Sequence, residues 1–172
     1  LMREKESDSH KNMAKMLENM SDGFIIYQAE EGEKLVYVNP PVLSMLGCRD
    51  IEDFKVQTGN SFRGFVHPED LRRVEWEIKS QIEETERNMD YIRYRIVRKD
   101  GSIRWVDDVG HLETSEYIDG PKMFYVFVSD IKEVIGNAGK APYFLNCIFD
   151  QLKPEDYDQF YDSIANNSKQ IF

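Results

Sequence analysis

The sequence predicts an α+β domain built on a five-stranded antiparallel sheet, with helices on one face and further helices flanking it. Three observations carry the prediction. Two short strand-prone runs follow residue 20, a helical stretch fills the middle, and three longer strand-prone runs end near residue 130. Strands, then helices, then strands require the helical segment to cover one face of a common sheet. A chain of 172 residues has room for one hydrophobic core, and 41% hydrophobic residues, with ten Phe and nine Tyr, supply the material for it.

Met13, Met16, Leu17 and Met20 recur at helical spacing and predict an amphipathic N-terminal helix. Such a short helix is marginal alone and needs a surface, either its own sheet or a second copy. Phe24 to Tyr27 and Leu35 to Val38 are strand-prone and separated by polar Glu30 to Lys34, the pattern of a hairpin. Asn39 is placed to cap a helix starting at Pro40, with Val42, Leu43 and Leu46 as its apolar stripe and Gly47 as its stop. Residues 50–66 read as irregular, anchored on the core by Phe62, Phe65 and Val66.

His67-Pro68-Glu69-Asp70 predicts a helix start with Pro68 in the first helical position. Leu71, Val74, Ile78 and Ile82 extend that helix to about Thr85. Tyr91 to Val97, Ile103 to Leu112 and Met123 to Val128 then predict a three-stranded meander. Asp100-Gly101 joins the first two strands and Asp119-Gly120-Pro121 precedes the third.

A formal charge of −10 repels phosphate backbones and anionic lipid, so neither nucleic acid nor direct membrane contact is expected. The densest basic group, Arg93, Arg95, Arg98, Lys99 and Arg104, falls around the predicted hairpin. Cys48 and Cys147 form no closely spaced pair, and no apolar run approaches the roughly 20 residues of a membrane span. A cytoplasmic location is expected.

Six pieces of this sequence, taken in order, resemble a PAS domain with a C-terminal PAC-type motif, as found in bacterial signalling proteins. They are Ser21-Asp22-Gly23-Phe24, Tyr37-Val38-Asn39-Pro40, Leu46-Gly47, His67-Pro68-Glu69-Asp70, Arg98-Lys99-Asp100-Gly101-Ser102-Ile103-Arg104-Trp105-Val106 and Ser129-Asp130-Ile131. The resemblance spans about residues 21–134 and implies strand order 2-1-5-4-3, with a pocket between the sheet and its helices. It also implies flanking helices that carry signals to an output domain such as a cyclase or histidine kinase. By position, Asn39 matches the family's helix-capping residue, Asp100-Gly101 its hairpin turn and Asp130 the acid before the outgoing helix. The expected layout is a flanking helix at 1–20, a PAS domain at 21–134, a linker at 135–142 and a helical extension at 143–172. Tyr157, Phe160, Tyr161 and Ile164 form an apolar stripe in that extension, for which a homodimer is the favoured use.

Flavin-adduct photochemistry in this family uses a cysteine where Gly59-Asn60-Ser61-Phe62-Arg63 stands here, so no flavin is expected. Haem is not expected either, since His67 reads as a helix-entry residue and His111 is the only other imidazole in the domain. Asp107 and Asp108 are adjacent on a strand and point to opposite faces, and no nucleophile triad, metal cluster or phosphate loop is present. The chain is therefore not expected to be an enzyme. Candidate pocket residues are Ile26, Val38, Leu43, Leu46, Ile92, Tyr94, His111, Tyr125 and Phe127, with Arg95 and Arg104 available to an anionic ligand. The same residues would build a filled core. The sequence thus leaves open a ligand sensor that feeds an output domain, a pure dimerisation module, and an autonomous metabolite-binding protein. Strand periodicity does not say which half of the list faces inward, and Trp105 fits under the N-terminal helix, in a dimer interface or against a ligand.

Overall fold

The strands form where bulky β-prone side chains run between turn residues, and most helices form where apolar residues recur every three or four positions. The computed structural model describes residues 8, 11–12, 14–114 and 121–131. The linker, the C-terminal extension with its aromatic stripe, and the Asp119-Gly120 turn lie outside the described residues. Along the chain come helix α1 (residues 14–18), strands β1 (Gly23–Gln28) and β2 (Leu35–Val38), and helices α2 (Pro40–Leu46) and α3 (Ile51–Thr58). A 3-10 turn (Phe62–Gly64) precedes helix α4 (Leu71–Glu84) and strands β3 (Met89–Val97), β4 (Ile103–Glu113) and β5 (Met123–Asp130). The sheet is antiparallel throughout, in the order β2-β1-β5-β4-β3 implied by the resemblance.

The two faces of the sheet carry separate cores. On the inner face, under α2 to α4, Ile25, Tyr27, Val38, Ile92, Tyr94, Val106, Val126 and Val128 pack with Phe54, Phe62, Phe65 and Val74 from the helical segment. On the outer face, Ala14 and Leu17 of α1 cover Phe24, Ile26, Tyr37, Val109, Tyr125 and Phe127. Of the stripe read from the sequence, Leu17 is buried and Met20 partly buried, whereas Met16 faces solvent and Ala14 takes the second buried position. α1 thus lies on its own sheet.

Asn39 is the N-cap of α2 in backbone conformation, but its side chain makes no capping bond. Pro40 and Pro41 lack the N–H groups of the first two helical positions, and the next N–H, on Val42, donates to the Asn39 main-chain carbonyl at 3.1 Å. The side chain is released for tertiary use. Its Oδ1 accepts from Phe24 N–H at 2.7 Å, and its Nδ2 donates to the carbonyls of Leu17 at 2.9 Å and Asp22 at 3.0 Å. One fully buried amide therefore ties α1 and the entry to β1 onto the start of α2.

The segment 50–66 is more regular than expected. Asp50 caps α3 by accepting from Asp53 N–H, and Gly59 ends it in the left-handed region with φ +63°. The amphipathic pattern was obscured because one of its two buried positions, Thr58, is polar and donates to the Phe54 carbonyl. α4 begins at Leu71, later than Pro68: residues 68–70 form a turn, and Asp70, already helical in backbone, reaches β3 instead of capping. Its carboxylate accepts from the Arg95 backbone N–H at 2.9 Å and from the Arg95 guanidinium. That pairing holds the Asp70 carboxyl below its ordinary pKa and fixes the helix against the edge of the sheet.

Candidate functional site

Strand pairing settles what periodicity left open. Val38, Leu46, Ile92 and Tyr94 are buried in the inner core, and Leu43 packs against it. Ile26, Tyr125 and Phe127 lie on the opposite face, beneath α1. On β1 and β5 the inner positions belong to Ile25, Tyr27, Phe124, Val126 and Val128. Both faces are lined with large side chains because both are covered, so hydrophobicity alone carries no sign of direction.

The polar candidates also stand apart from the inner core. Arg95 is held by Asp70 and Glu69, with its guanidinium 5.9 Å from the centre of the half-exposed Trp105 ring. Trp105 is thus not under α1. His111 sits on the outer-face side of β4, paired in register with Tyr125, and burial lowers its pKa to about 4, which keeps it neutral. Arg104 pairs with Asp130. Those two residues border a cavity of about 390 Å³ where the end of α1 meets the start of α2, lined also by Glu18, Asn19 and Met45. The basic group offered to an anionic ligand is therefore committed to carboxylates outside the inner core.

The inner face holds instead two acids that sequence reasoning did not select, Asp90 and Asp108. They are 4% and 2% exposed, and neither pairs with a cation among the described residues. β3 and β4 pair with Asp90 opposite Gly110 and Ile92 opposite Asp108, so the two carboxylates are diagonal neighbours on one face. Asp108 accepts from the Tyr94 hydroxyl at 2.6 Å. The Gly110 backbone beside Asp90 lowers its pKa somewhat, while its Oδ1 is buried with no hydrogen-bond partner among the described residues. The glycine is required here, since a Cβ at position 110 would lie 2.6 Å from the Asp90 Oδ2.

Aromatic rings surround the pair. Tyr27 stacks on Phe62 with centroids 4.3 Å apart and on Phe124 at 5.0 Å. Tyr94 meets Phe62 and Phe65 edge-on, each at 6.3 Å. In this low-dielectric setting a carboxylate without a counter-cation is costly, and the free energy is lowered by keeping it protonated. Burial pushes Asp90 up to about 7, and burial followed by the charge of Asp90 pushes Asp108 well above the carboxylate range. Burial and the negative charge of Asp108 raise both tyrosines as well.

Asp90 escaped the sequence reading because it stands one residue before the predicted start of its strand. Asp108 was seen only as the neighbour of Asp107. The available signal was parity: Asp108 is two residues from Val106, an inner position, and an acid at an inward parity is a polar group in a core.

Among the described residues no group of three or more His, Cys, Asp or Glu is placed to hold a metal ion. No described helix is long and apolar enough to cross a membrane. The 59–63 segment, where a flavin-reactive cysteine would stand, carries no thiol, and Cys48 lies on a different segment, after α2. These residues do not fit a flavin-thiol adduct.

A family model described as the PAS fold matches residues 35–116. No curated protein sequence matches the chain. Among solved structures, the PAS domain of a Colwellia psychrerythraea protein is 20% identical with a TM-score of 0.55, over 70% of this chain and 95% of that one. A PAS domain from a two-component sensor histidine kinase is 15% identical with a TM-score of 0.53, over 71% and 96%. A LOV protein from Rhodobacter sphaeroides is 11% identical with a TM-score of 0.58, over 97% and 94%. At such identities the structural likeness is one of fold, and it agrees with the family match and with the strand order. The chain thus has the PAS fold, with the family model matching its residues 35–116.

Proposed function

We propose that this PAS domain senses a small molecule on the inner face of its sheet and passes the signal to an output domain. The observation that carries this reading is the Asp90–Asp108 pair, two buried acids with no cationic partner among the described residues. A core whose only task was packing would lower its energy by replacing both with apolar residues of similar size. Polar groups converging in an aromatic-walled interior are what ligand recognition needs.

The described route outward is through α1, which rests on the outer face and is held to β1 and α2 by Asn39. The solved domain from a two-component histidine kinase supports an output of the kinase type, with a cyclase as the alternative. Tyr91, Ile103 and Trp105 leave part of the outer face about half exposed, an apolar surface suited to contact with a second copy. We read the chain as a cytoplasmic homodimer without flavin or haem; the thiol-free 59–63 segment and the outward position of His111 support that reading.

Native mass spectrometry of the mildly purified full chain tests the sensor. A bound small molecule is expected on wild type and lost from an Asp90→Asn/Asp108→Asn double variant. Self-association with no small molecule, either co-purified or taken from a metabolite library, would favour the pure dimerisation module.

A further inference from the structure

Resting on the sensor reading above, we propose that the ligand presents a cationic, N–H-donating group, such as a primary ammonium, amidinium or guanidinium, to Asp90 and Asp108. Four observations on the inner face point to this chemistry. The inner core holds two buried carboxyls that no basic residue engages among the described residues. Asp90 Oδ1 is a buried acceptor with no partner among the described residues, while Asp108 already receives the Tyr94 hydroxyl, so the unmet need is for donors.

On β3, β4 and the turn between them the cations are spent elsewhere, Arg93 on Asp107, Arg95 on Asp70 and Glu69, Arg98 on the Met45 carbonyl, Lys99 on Asp53 and Arg104 on Asp130, while Arg87, just before β3, is exposed. An anionic ligand would meet two acids and no counter-charge. Finally, Phe62, Phe65 and Tyr94 line this region, and the faces of such rings attract organic cations.

Binding at this site brings Asp90 and Asp108 the positive charge their burial denies them. The cation favours their ionised forms, so a protonated amine entering the site releases protons from the pair. Phe62, on the short 3-10 turn, is stacked on Tyr27, and a ligand reaching the pair would have to part these rings. The turn is braced on the first hairpin through the Lys34–Ser61 bridge, so that movement is felt at β2.

The test is calorimetry and thermal shift on the full chain with matched probes: putrescine, agmatine and benzamidine against butanediol, and against succinate as the anionic control. Amine or amidine probes are expected to bind wild type with proton release, seen as a dependence of the measured heat on buffer ionisation enthalpy. Affinity should fall at least tenfold in Asp90→Asn and in Asp108→Asn, with butanediol and succinate inactive. If Asp108→Asn does not fold, Asp90→Asn and the wild-type proton release decide. Binding of succinate but not of the amines overturns the cationic class and leaves a ligand sensor standing. Binding of no probe, together with no co-purified molecule on wild type, overturns both. Amine binding that survives Asp90→Asn undiminished also removes the proposal, since the contact would then lie elsewhere.

Discussion

Asp107 and Asp108 are neighbours in the chain, yet the two faces of the sheet treat them oppositely. On the outer face Asp107 accepts from Arg93 Nε at 2.7 Å and Nη2 at 3.0 Å, and the Arg93 side chain is 54% exposed. Its charge is matched by a cation that water still reaches. On the inner face Asp108 meets a phenol and a second acid, inside a shell of aromatic rings. One backbone step thus separates a surface ion pair, worth little, from a buried acid whose charge is disfavoured. The difference teaches that residue type alone did not mark the site; an acid left without a cation did.

The largest expected effect breaks the link between the two faces. Asn39→Ala removes three hydrogen bonds and leaves the Phe24 N–H and the Leu17 and Asp22 carbonyls without their partner. Each buried group left unpaired costs about 1–3 kcal/mol, so urea unfolding should show a loss of about 4 kcal/mol. Asn39→Asp keeps the acceptor for Phe24 and should recover part of that. A loss under about 1 kcal/mol would mean that α1 is not secured through this amide.

Next in size is Gly110→Ala, which places a methyl against the Asp90 carboxylate and should cost about 2 kcal/mol. The informative measurement is the double-mutant cycle. In an Asp90→Ala background the penalty at position 110 should largely vanish, because the opposing carboxylate is gone. Additive costs would show that the glycine answers to something other than Asp90.

The smallest effects sharpen the comparison itself. Asp90 has a folded pKa of about 7, above the ordinary carboxylate value of about 4, so the folded chain binds more protons than the unfolded chain between these values. Its contribution is fully present at the acid end and is lost as pH rises from about 4 through about 7. Asp90→Asn removes that loss. Relative to wild type it should gain stability steadily as pH rises from about 4 to about 7, by up to about 1.4 kcal/mol per pH unit, and almost nothing near pH 4. Asp107→Asn, which removes one partner of a pair that solvent screens, should cost under about 1 kcal/mol. Chemical denaturation at three pH values compares the two, and parallel pH profiles would erase the distinction drawn between the faces.

Much of the architecture was legible in the chain. The strands announced themselves through β-prone runs between turn residues, and Leu71, Val74, Ile78 and Ile82 marked the face of α4 that packs on the core. Phe62, Phe65 and Val66 were legible as anchors because three large apolar groups in a polar stretch have few other uses. These are short-range signals: backbone preference and spacing act within a few residues, and the sequence states them directly.

The tertiary structure decided the rest, for reasons that are not local. With apolar residues on both sides of β1 and β5, only the placement of α1 against one face and α2 to α4 against the other assigned Ile26, Tyr125 and Phe127 to the outer core. Asn39 looked like a helix cap, and the two prolines that follow freed its side chain to hold α1 across a separation of 22 residues. Asp90 and Asp108 lie 18 positions apart, and nothing in their immediate sequence distinguishes them from surface acids. Burial is a property of the whole packing arrangement, and so is the lack of a counter-cation among the described residues. Only when β3 and β4 align and Arg93 and Arg95 turn outward do two ordinary acids become buried neighbours that no cation reaches among the described residues.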